Sequence, residues 1–379
     1  MSSILETLTG LLASAATHTK YKQQTAMLSL QFTEASCHGL DDESRLKLEA
    51  DVKNLRIPGV TVDRFLNRGS LGCTYVGTVG ADAVVVKVLS AERIKGLKRE
   101  MSIVRGICTG LSMINATIPA VVENLAANVD AETDYVREAQ MHERFFQAFG
   151  DASLVRIPKI YRHLSSAQHL VMEYVDMKPL PLVDVRSLSA EAVMRIGDAL
   201  VRFNAATLYT HSLIYGDMNP GNILVSADGA VTVVDFGCCE VLSHTDLATL
   251  SELMHVGRGQ TFQGFLDSCR HLHVSCNIPD LQLLYDFIKR QGRPFCKAHS
   301  GEFTREWFHT LTDDIPFNVI LGIKFHPKSS LALRSLYGLS AILTHLGYRG
   351  DAHGITVATI HDHFAVKARE DTDMWVEDT

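Results

Sequence analysis

The segment Tyr215-Gly-Asp-Met-Asn-Pro-Gly-Asn-Ile-Leu-Val225, followed by Val234-Asp-Phe-Gly237, decides which fold this sequence predicts. Asp217 offers a carboxylate that can accept the proton of an attacking hydroxyl group. Asn222, five residues later, offers an amide oxygen to a metal ion. Asp235 adds a hard carboxylate ligand for Mg²⁺, the ion that bridges nucleotide phosphates. The pattern predicts phosphoryl transfer, with Asp217 as the catalytic base and the other two residues as metal ligands.

Two short apolar segments between these residues are predicted to form a β-hairpin. Ile223–Val225 and Val231–Val234 are rich in β-branched residues, and Ser226–Gly229 between them is a turn signal. Such a hairpin would hold Asn222 and Asp235 at one end of the strand pair. This arrangement is typical of protein kinases, so the sequence predicts an α+β, two-lobed protein-kinase-like fold.

The composition is that of an ordinary globular protein. Of the 379 residues, 46% are hydrophobic and 21% are charged. The net charge of −7, without a run of basic residues, argues against a nucleic-acid partner. None of the 8 cysteines forms a Cys-x-x-Cys motif, which favours reduced thiols in a cytosol-like compartment.

The sequence shows neither a membrane span nor a secretory signal. No run of about 18 apolar residues occurs, and the N-terminus lacks a basic start before a continuous apolar segment. Glu6 and the absence of arginine before Arg45 argue against a mitochondrial presequence. We therefore expect a cytoplasmic location, while organellar targeting, in particular of the plastid type, stays open.

A glycine-rich turn between β-rich segments predicts a nucleotide-binding hairpin. Asn67-Arg-Gly-Ser-Leu-Gly72 lies between Thr61–Phe65 and Cys73–Gly77, and Ala83–Val88 follows as a further strand. Glycines let backbone N–H groups approach phosphate oxygens closely. Lys87, in the last of these strands, is the candidate phosphate-contacting lysine. The residues expected to surround the phosphates are Gly69, Ser70, Leu71 and Gly72.

The lysine requires a carboxylate partner, and Glu138 is the candidate. Glu138 lies in a helical pattern over residues 124–149. It follows Lys87 by 51 residues, about thirty more than in an ordinary protein kinase. Apolar residues at helical spacing fill part of this surplus, so residues 91–123 are predicted to form a helical insertion.

Val155–Tyr161 and His169–Val175 are predicted to form two further strands. The adenine ring is expected next to the hinge at the end of the second strand. Backbone groups of Glu173 and Val175 are predicted to hydrogen-bond adenine, and Val85 and Leu224 to lie on either side of the ring. The predicted organisation is then a helical extension at 1–55, an N-lobe at 56–176, a C-lobe at 177–365 and an acidic tail at 366–379.

Several motifs together resemble the AarF/UbiB family of atypical protein-kinase-like proteins. They are the insertion, Glu132-Thr-Asp134 running into Tyr-x-Arg-Glu-Ala139, Ile157-Pro-x-Ile-Tyr161 before Met-Glu-Tyr-Val, and Pro-Gly-Asn in the catalytic loop. The resemblance covers residues 56–350. It implies an enzyme that uses Mg-ATP for phosphoryl transfer or ATP hydrolysis, in support of prenylquinone or lipid metabolism.

The chain also departs from that family. The Lys-x-Gly-Gln motif of an N-terminal helix is missing, since Lys22-Gln-Gln24 does not match it, and whether residues 1–55 replace that helix stays open. Asn67–Gly72 stands where the family has an alanine-rich loop. Asn219 stands where many protein kinases have a lysine that neutralises the transferred phosphoryl group. The expected consequence is slow phosphoryl transfer, or hydrolysis with water as the acceptor.

Two alternatives remain open at this point. A small-molecule kinase of the aminoglycoside or choline type also favours Gly-Asp-x-x-Pro-Gly-Asn, although the insertion and the Glu132/Asp134 segment argue against it. A nucleotide-binding pseudokinase scaffold stays open because Asn219 is neutral. The expected ligands are ATP and Mg²⁺. A lipid or protein substrate or activator, and peripheral contact with a membrane, are left open as partners.

Overall fold

A computed structural model describes residues 56–68, 72–91, 94–96, 98–99, 102, 133–150, 155–271, 278–297, 303–311 and 327–361. The predicted N-terminal extension and the acidic tail lie outside these residues. So do Gly69, Ser70, Leu71 and most of the predicted insertion.

The described strands all lie before His244, and most of the longer helices follow them. The strands are β1 (Thr61–Arg68), β2 (Gly72–Val79), β3 (Asp82–Leu89), β4 (Val155–Arg156), β5 (His169–Glu173), β6 (Lys178–Pro179), β7 (Leu213–Tyr215), β8 (Ile223–Val225), β9 (Val231–Val233) and β10 (Cys239–Val241). The helices are α1 (Tyr135–Phe149), α2 (Ala190–Tyr209), α3 (His244–Gly257), α4 (Phe262–His271), α5 (Ile278–Cys296), α6 (Arg305–Thr310) and α7 (Pro327–Leu346). Residues 352–361 are helical as well. The mixed helix and sheet content agrees with the α+β prediction.

The described residues form two compact units that are interleaved in sequence. The first contains the described residues up to Gly150, together with Ile157–Met177 and Val234–Cys238. The second contains Lys178–Val233 and the described residues from Cys239 onward, together with β4. The predicted lobe boundaries at 56–176 and 177–365 stay predictions.

The first unit is built on a four-stranded antiparallel sheet with the order β1-β2-β3-β5. Alternation along β3 gives the sheet two apolar faces. Val84 and Val86 are fully buried on one face, in a cluster with Tyr75. Val85 packs on the other face against a cluster that contains Tyr135 of α1. Lys87, two residues after Val85, therefore belongs to the face that α1 covers.

Helix α1 begins at a side-chain cap. The Asp134 carboxylate accepts a hydrogen bond of 2.9 Å from the Arg137 backbone N–H, which satisfies one of the unpaired donors of the first turn. The buried residues of α1 recur at helical spacing, so one stripe of the helix faces the sheet. They are Tyr135, Glu138, Ala139, Met141, His142 and Phe145.

The second unit contains a small sheet with the order β4-β9-β8-β6, a β7–β10 pair and most of the helices. The predicted hairpin is confirmed, because β8 pairs with β9 in antiparallel register and Ile223 lies opposite Val233. Ser226 closes the turn by accepting a hydrogen bond of 2.9 Å from the Ala230 N–H. Helices α3, α4 and α5 share an apolar cluster around Val256 and Phe265.

The predicted strand at Val155–Tyr161 is wrong for most of its length. Only Val155–Arg156 forms a strand, and Ile160 makes one isolated bridge to Met172. Pro158 lies between them and has no N–H to donate to a neighbouring strand, which explains the break.

Among the described residues, no helix is both long and apolar enough to cross a bilayer.

Helices α3 and α7 are joined near their first turns by a partly buried ion pair. Lys328 Nζ lies 2.7 Å from Asp246 Oδ2 and also donates to the Val241 carbonyl at 2.9 Å. Asp246 accepts further hydrogen bonds from the backbone N–H and the hydroxyl of Ser243. Burial alone would raise the pKa of Asp246, but the hydrogen bonds from Lys328 and Ser243 lower it to about 2.

We predict that Lys328→Gln destabilises the protein in a pH-dependent way. At pH 7 the loss should be about 2 kcal/mol, because Asp246 keeps its charge without its cation. Because the pKa of Asp246 is lowered in the folded state, the charged carboxylate stabilises the fold above pH 3.8, its usual pKa. This stabilisation disappears as the pH falls towards about 2. The difference in melting temperature between wild type and variant should therefore narrow over that range.

The matched control is Arg270→Gln, which removes an exposed ion pair with Asp267. It should change stability by less than about 0.5 kcal/mol at any pH. If the melting temperatures of wild type and Lys328→Gln differed by the same amount at pH 7 and at pH 3, the prediction would be contradicted.

Candidate active site

Lys87 lies between two carboxylates in the first unit. Its Nζ lies 2.8 Å from Glu138 Oε1 and 3.2 Å from Asp235 Oδ2. The register of the sheet places Lys87 opposite Thr74 of β2 and Leu170 of β5, on the α1 face. The structure thus places Glu138 beside Lys87, as the sequence predicts, and adds Asp235 as a second anionic neighbour.

The cluster keeps Lys87 charged although its side chain is only 17% exposed. Burial alone lowers the pKa of Lys87, but the nearby Asp235 and Glu138 carboxylates raise it above the usual lysine value. Glu138 is more deeply buried, at 5% exposure, whereas the Asp235 side chain remains 36% exposed. Asp235 is thus the member of the cluster that solvent, and hence a metal ion, can reach.

Asp235 has a strained backbone that orients its carboxylate. Its φ of 70° lies in the left-handed region, which non-glycine residues rarely adopt. The Gly237 N–H donates to Asp235 Oδ1 at 3.2 Å, while the other carboxylate oxygen faces Lys87. Arg137 Nη1 donates to the Gly237 carbonyl at 3.1 Å and attaches this turn to α1. A Cβ at Gly237 would lie 3.3 Å from Glu138 Oε2, so the small residue suits this close contact.

Phe236 anchors the same turn in the apolar part of the first unit. It is fully buried, with its ring centroid 4.5 Å from that of His142 and 5.0 Å from that of Phe145. His142 Nε2 hydrogen-bonds with the Pro158 carbonyl at 2.7 Å. Burial lowers the pKa of His142 to about 4, so the imidazole is neutral near pH 7. This packing offsets the backbone strain at Asp235.

Asp217 lies in the second unit, two residues after the end of β7, and both of its carboxylate oxygens accept hydrogen bonds. Asn222 Nδ2 donates to Oδ2 at 2.9 Å, and Arg334 Nη2 donates to Oδ1 at 2.9 Å. Because the amide nitrogen of Asn222 faces Asp217, its amide oxygen points away from that carboxylate. The amide oxygen is thereby oriented as a ligand for a hard metal ion.

Asn219 has a local role in the same loop. Its side-chain oxygen accepts a hydrogen bond of 2.9 Å from the Gly221 N–H and caps the 3₁₀ turn Pro220–Asn222. Arg334, by contrast, is a site residue that sequence reasoning missed. Its sequence signal is weak, because it is an arginine in a helix that also contains Lys328 and several serines, 117 residues from Asp217.

The remaining predicted site residues take varied positions. Gly72 lies in β2, where a Cβ would approach the Val88 carbonyl oxygen to 2.1 Å. The Glu173 N–H donates to the Lys159 carbonyl at 2.8 Å, and the Val175 carbonyl accepts from Met177. Within the described residues, the Val175 N–H donates no backbone hydrogen bond.

The structure separates the predicted residues into two groups. Lys87, Glu138, Asp235 and Val85 belong to the first unit, whereas Asp217, Asn222 and Leu224 belong to the second. The assignment of Val85 and Leu224 to adenine, and of Gly69, Ser70 and Leu71 to phosphate, therefore stays a prediction.

The lysine–glutamate pair, the Asp-Phe-Gly turn and the Asp…Asn loop define a protein-kinase-like chain. The chain belongs to the family of ABC1 atypical kinase-like domains, because the family model matches residues 66–257, just over half of its length. The predicted AarF/UbiB membership is thus confirmed.

Curated relatives carry the corresponding names. The chain is 26% identical over 285 residues to "Protein ACTIVITY OF BC1 COMPLEX KINASE 1, chloroplastic" of Arabidopsis thaliana, which covers 70% of this chain and 40% of the relative. It is 23% identical over 326 residues to ACTIVITY OF BC1 COMPLEX KINASE 3 of the same plant, covering 82% and 44%. The chain thus spans less than half the length of these relatives.

A solved structure shares the fold. The complex of Rv3197 with erythromycin from Mycobacterium tuberculosis superposes with a TM-score of 0.64 and covers 94% of this chain and 95% of that chain. The sequence identity is 16%, so this likeness concerns the fold alone.

We predict that His142 makes stability fall between pH 6.5 and about 4. Its folded-state pKa is about 4 and its usual value is 6.5, so the unfolded chain takes up a proton in this range that the folded chain excludes. The full effect should reach about 3 kcal/mol. In His142→Leu the decline over the same pH range should be smaller by that amount, measured by urea unfolding at several pH values.

The control is His244→Leu at an exposed position of α3. Its pH profile should run parallel to that of the wild type. If the His142→Leu profile were parallel as well, buried neutral His142 would be excluded as a cause of the decline.

Proposed function

We propose that this protein binds Mg-ATP and catalyses phosphoryl transfer or ATP hydrolysis. The observation that carries the proposal is the Lys87–Glu138–Asp235 cluster, in which a buried lysine is held charged between two carboxylates. An ordinary structural ion pair requires one carboxylate. The second carboxylate, half-exposed and held by a strained turn, suits a residue that also binds a metal ion.

The donor set fits a magnesium nucleotide. Asp235 and Asn222 would supply hard oxygen ligands to Mg²⁺, and Lys87 would contact the phosphates while Glu138 orients its ammonium group. Mg-ATP, when bound, would supply the γ-phosphoryl group. Asp217 would accept the proton of the attacking hydroxyl or water.

The proposed contacts to the rest of the nucleotide follow the sequence prediction. Backbone groups of Glu173 and Val175 would hydrogen-bond the adenine, which agrees with a Val175 N–H that donates no backbone hydrogen bond among the described residues. Val85 and Leu224 would contact the ring. The phosphate-facing residues would be Gly69, Ser70, Leu71 and Gly72.

The reaction is proposed to be slow. Residues 215–222 contain neither lysine nor arginine, so this loop offers no cation of its own to the transferred phosphoryl group. Stabilisation of the charge on the transferred phosphoryl group would depend on Lys87 and the metal ion.

The physiological role we propose is support of prenylquinone or lipid metabolism, with a lipid or protein as substrate or activator. The names of two Arabidopsis relatives place those proteins in chloroplasts, which supports the organellar alternative to a cytoplasmic location.

A second candidate function is nucleotide binding without turnover. Two observations favour it: both Asp217 oxygens already accept hydrogen bonds within the protein, and Asn219 is occupied in capping a turn. Turnover measurements decide between the two functions.

The test is Mg-ATP binding by calorimetry and ADP formation by the purified chain, alongside Asp235→Asn, Lys87→Ala and Asp217→Asn. Asp235→Asn and Lys87→Ala should weaken binding at least about tenfold, because each removes a charged contact to the metal or the phosphates. Asp217→Asn should retain binding and lose turnover about 100-fold or more.

The control is Arg270→Gln, which should match the wild type in both assays. Binding without turnover would favour the pseudokinase. If the wild type failed to bind Mg-ATP at millimolar concentration, the proposal would be wrong.

A further inference from the structure

The catalytic-loop carboxylate has a cationic neighbour that comes from a distant helix. Arg334 of α7 donates from Nη2 to Asp217 Oδ1 at 2.9 Å. The Asp217 side chain is 7% exposed and that of Arg334 is 28% exposed. A hydrogen-bonded ion pair of this kind is stronger and more directional than a neutral hydrogen bond.

The loop itself could not provide this cation. Gly216 precedes Asp217 and Asn219 follows it by two residues, and neither carries a charge. Asn222, a second donor to Asp217, is a neutral amide. The positive charge of Arg334 therefore reaches the carboxylate through the packing of α7 against this loop.

That packing is close and well defined. A Cβ on Gly338 would lie 2.3 Å from the Met218 carbonyl oxygen, so the helix backbone approaches the residue after Asp217 as only glycine permits. Gly338 lies one turn beyond Arg334, on the same side of α7. Ser335 accepts a hydrogen bond of 3.0 Å from Asn204 of α2, and Leu339 is fully buried. The guanidinium group thus extends from a helix that is fixed on both sides.

We propose that Arg334 is a positioning residue for Asp217. This inference rests on the proposed function and adds that α7 supplies a charged donor that orients the Asp217 carboxylate, a donor that the loop itself does not contain. Arg334 and Asn222 hold one oxygen each, so the plane of the carboxylate has a single orientation. An ionised carboxylate offers about four acceptor positions, so two hydrogen bonds do not by themselves prevent it from accepting a proton from the attacking hydroxyl group or water.

The kinetic test compares Arg334→Gln, Arg334→Lys and Lys328→Gln in steady-state ADP formation with Mg-ATP. Arg334→Gln should lower kcat about 10- to 100-fold with the KM for ATP within about twofold of the wild type, because the base is misplaced while nucleotide contacts remain. Arg334→Lys should recover part of kcat, since it keeps the charge but lacks the planar donor geometry.

Lys328→Gln is the matched control, because Lys328 lies on the same helix and forms an ion pair that does not involve Asp217. It should lower the melting temperature and leave kcat within about twofold. Equal kcat for wild type and Arg334→Gln would overturn the positioning role. So would a loss of kcat in Lys328→Gln as large as that in Arg334→Gln, since a general loosening of α7 would then explain both.

A second measurement does not depend on turnover. Arg334→Gln leaves the buried Asp217 carboxylate without its cation and should lower the melting temperature. Adding Asp217→Asn should recover part of that loss, so the effects of the two substitutions should not add. Additive losses would show that the ion pair contributes nothing, and the inference would fail.

The two measurements also separate this inference from the proposed function. If the wild type binds and turns over Mg-ATP while Arg334→Gln behaves identically, only the positioning role is lost. The wild type could instead show no turnover while the stability effects of the two substitutions are non-additive. The proposed catalysis and the positioning role would then both be wrong, and Arg334 would be a structural partner of Asp217.

Discussion

The charge of Lys87 is the constraint on which the first unit depends. A buried ammonium group is unfavourable unless anionic partners compensate for its lost hydration. Glu138 and Asp235 provide this compensation at 2.8 and 3.2 Å. One residue lies on the helix that covers the sheet and the other on the Asp-Phe-Gly turn. The cation therefore links three segments that are far apart in sequence, and a shift in any of them would leave a buried charge without a partner.

The Asp-Phe-Gly turn shows how packing sustains an unfavourable backbone. A left-handed aspartate costs of order 1–3 kcal/mol. Phe236, fully buried against His142 and Phe145, holds the turn in place, and Arg137 binds the Gly237 carbonyl. A neutral His142 is compatible with this apolar contact, whereas a charged imidazole would need a partner there. The apolar and ionic parts of the site thus depend on one another.

The second unit also contains a buried charged group, and its partner comes from a different kind of contact. Asp217 is a buried carboxylate in a loop without cations; Arg334 of α7 pairs with its charge, and Asn222 donates a hydrogen bond to it. The close approach of Gly338 to Met218 brings the helix near enough for this contact. The ion pairs that Lys328 and Arg334 form on α7 therefore have different roles. Lys328 joins the helix to α3, whereas Arg334 contacts Asp217, the proposed catalytic base.

The sequence by itself determined those features that depend on local spacing. Turn chemistry specified the β8–β9 hairpin, the helical pattern placed Glu138 on a helix, and motif spacing indicated Asp217, Asn222 and Asp235. Local pattern failed at Val155–Tyr161, where apolar residues suggested a strand and Pro158 interrupts the pairing. Only the tertiary structure decided that Phe236 packs on His142 and that Arg334 binds Asp217, 117 residues away. No local signal encodes such contacts, because they arise when separate elements pack and a buried charge must find its partner.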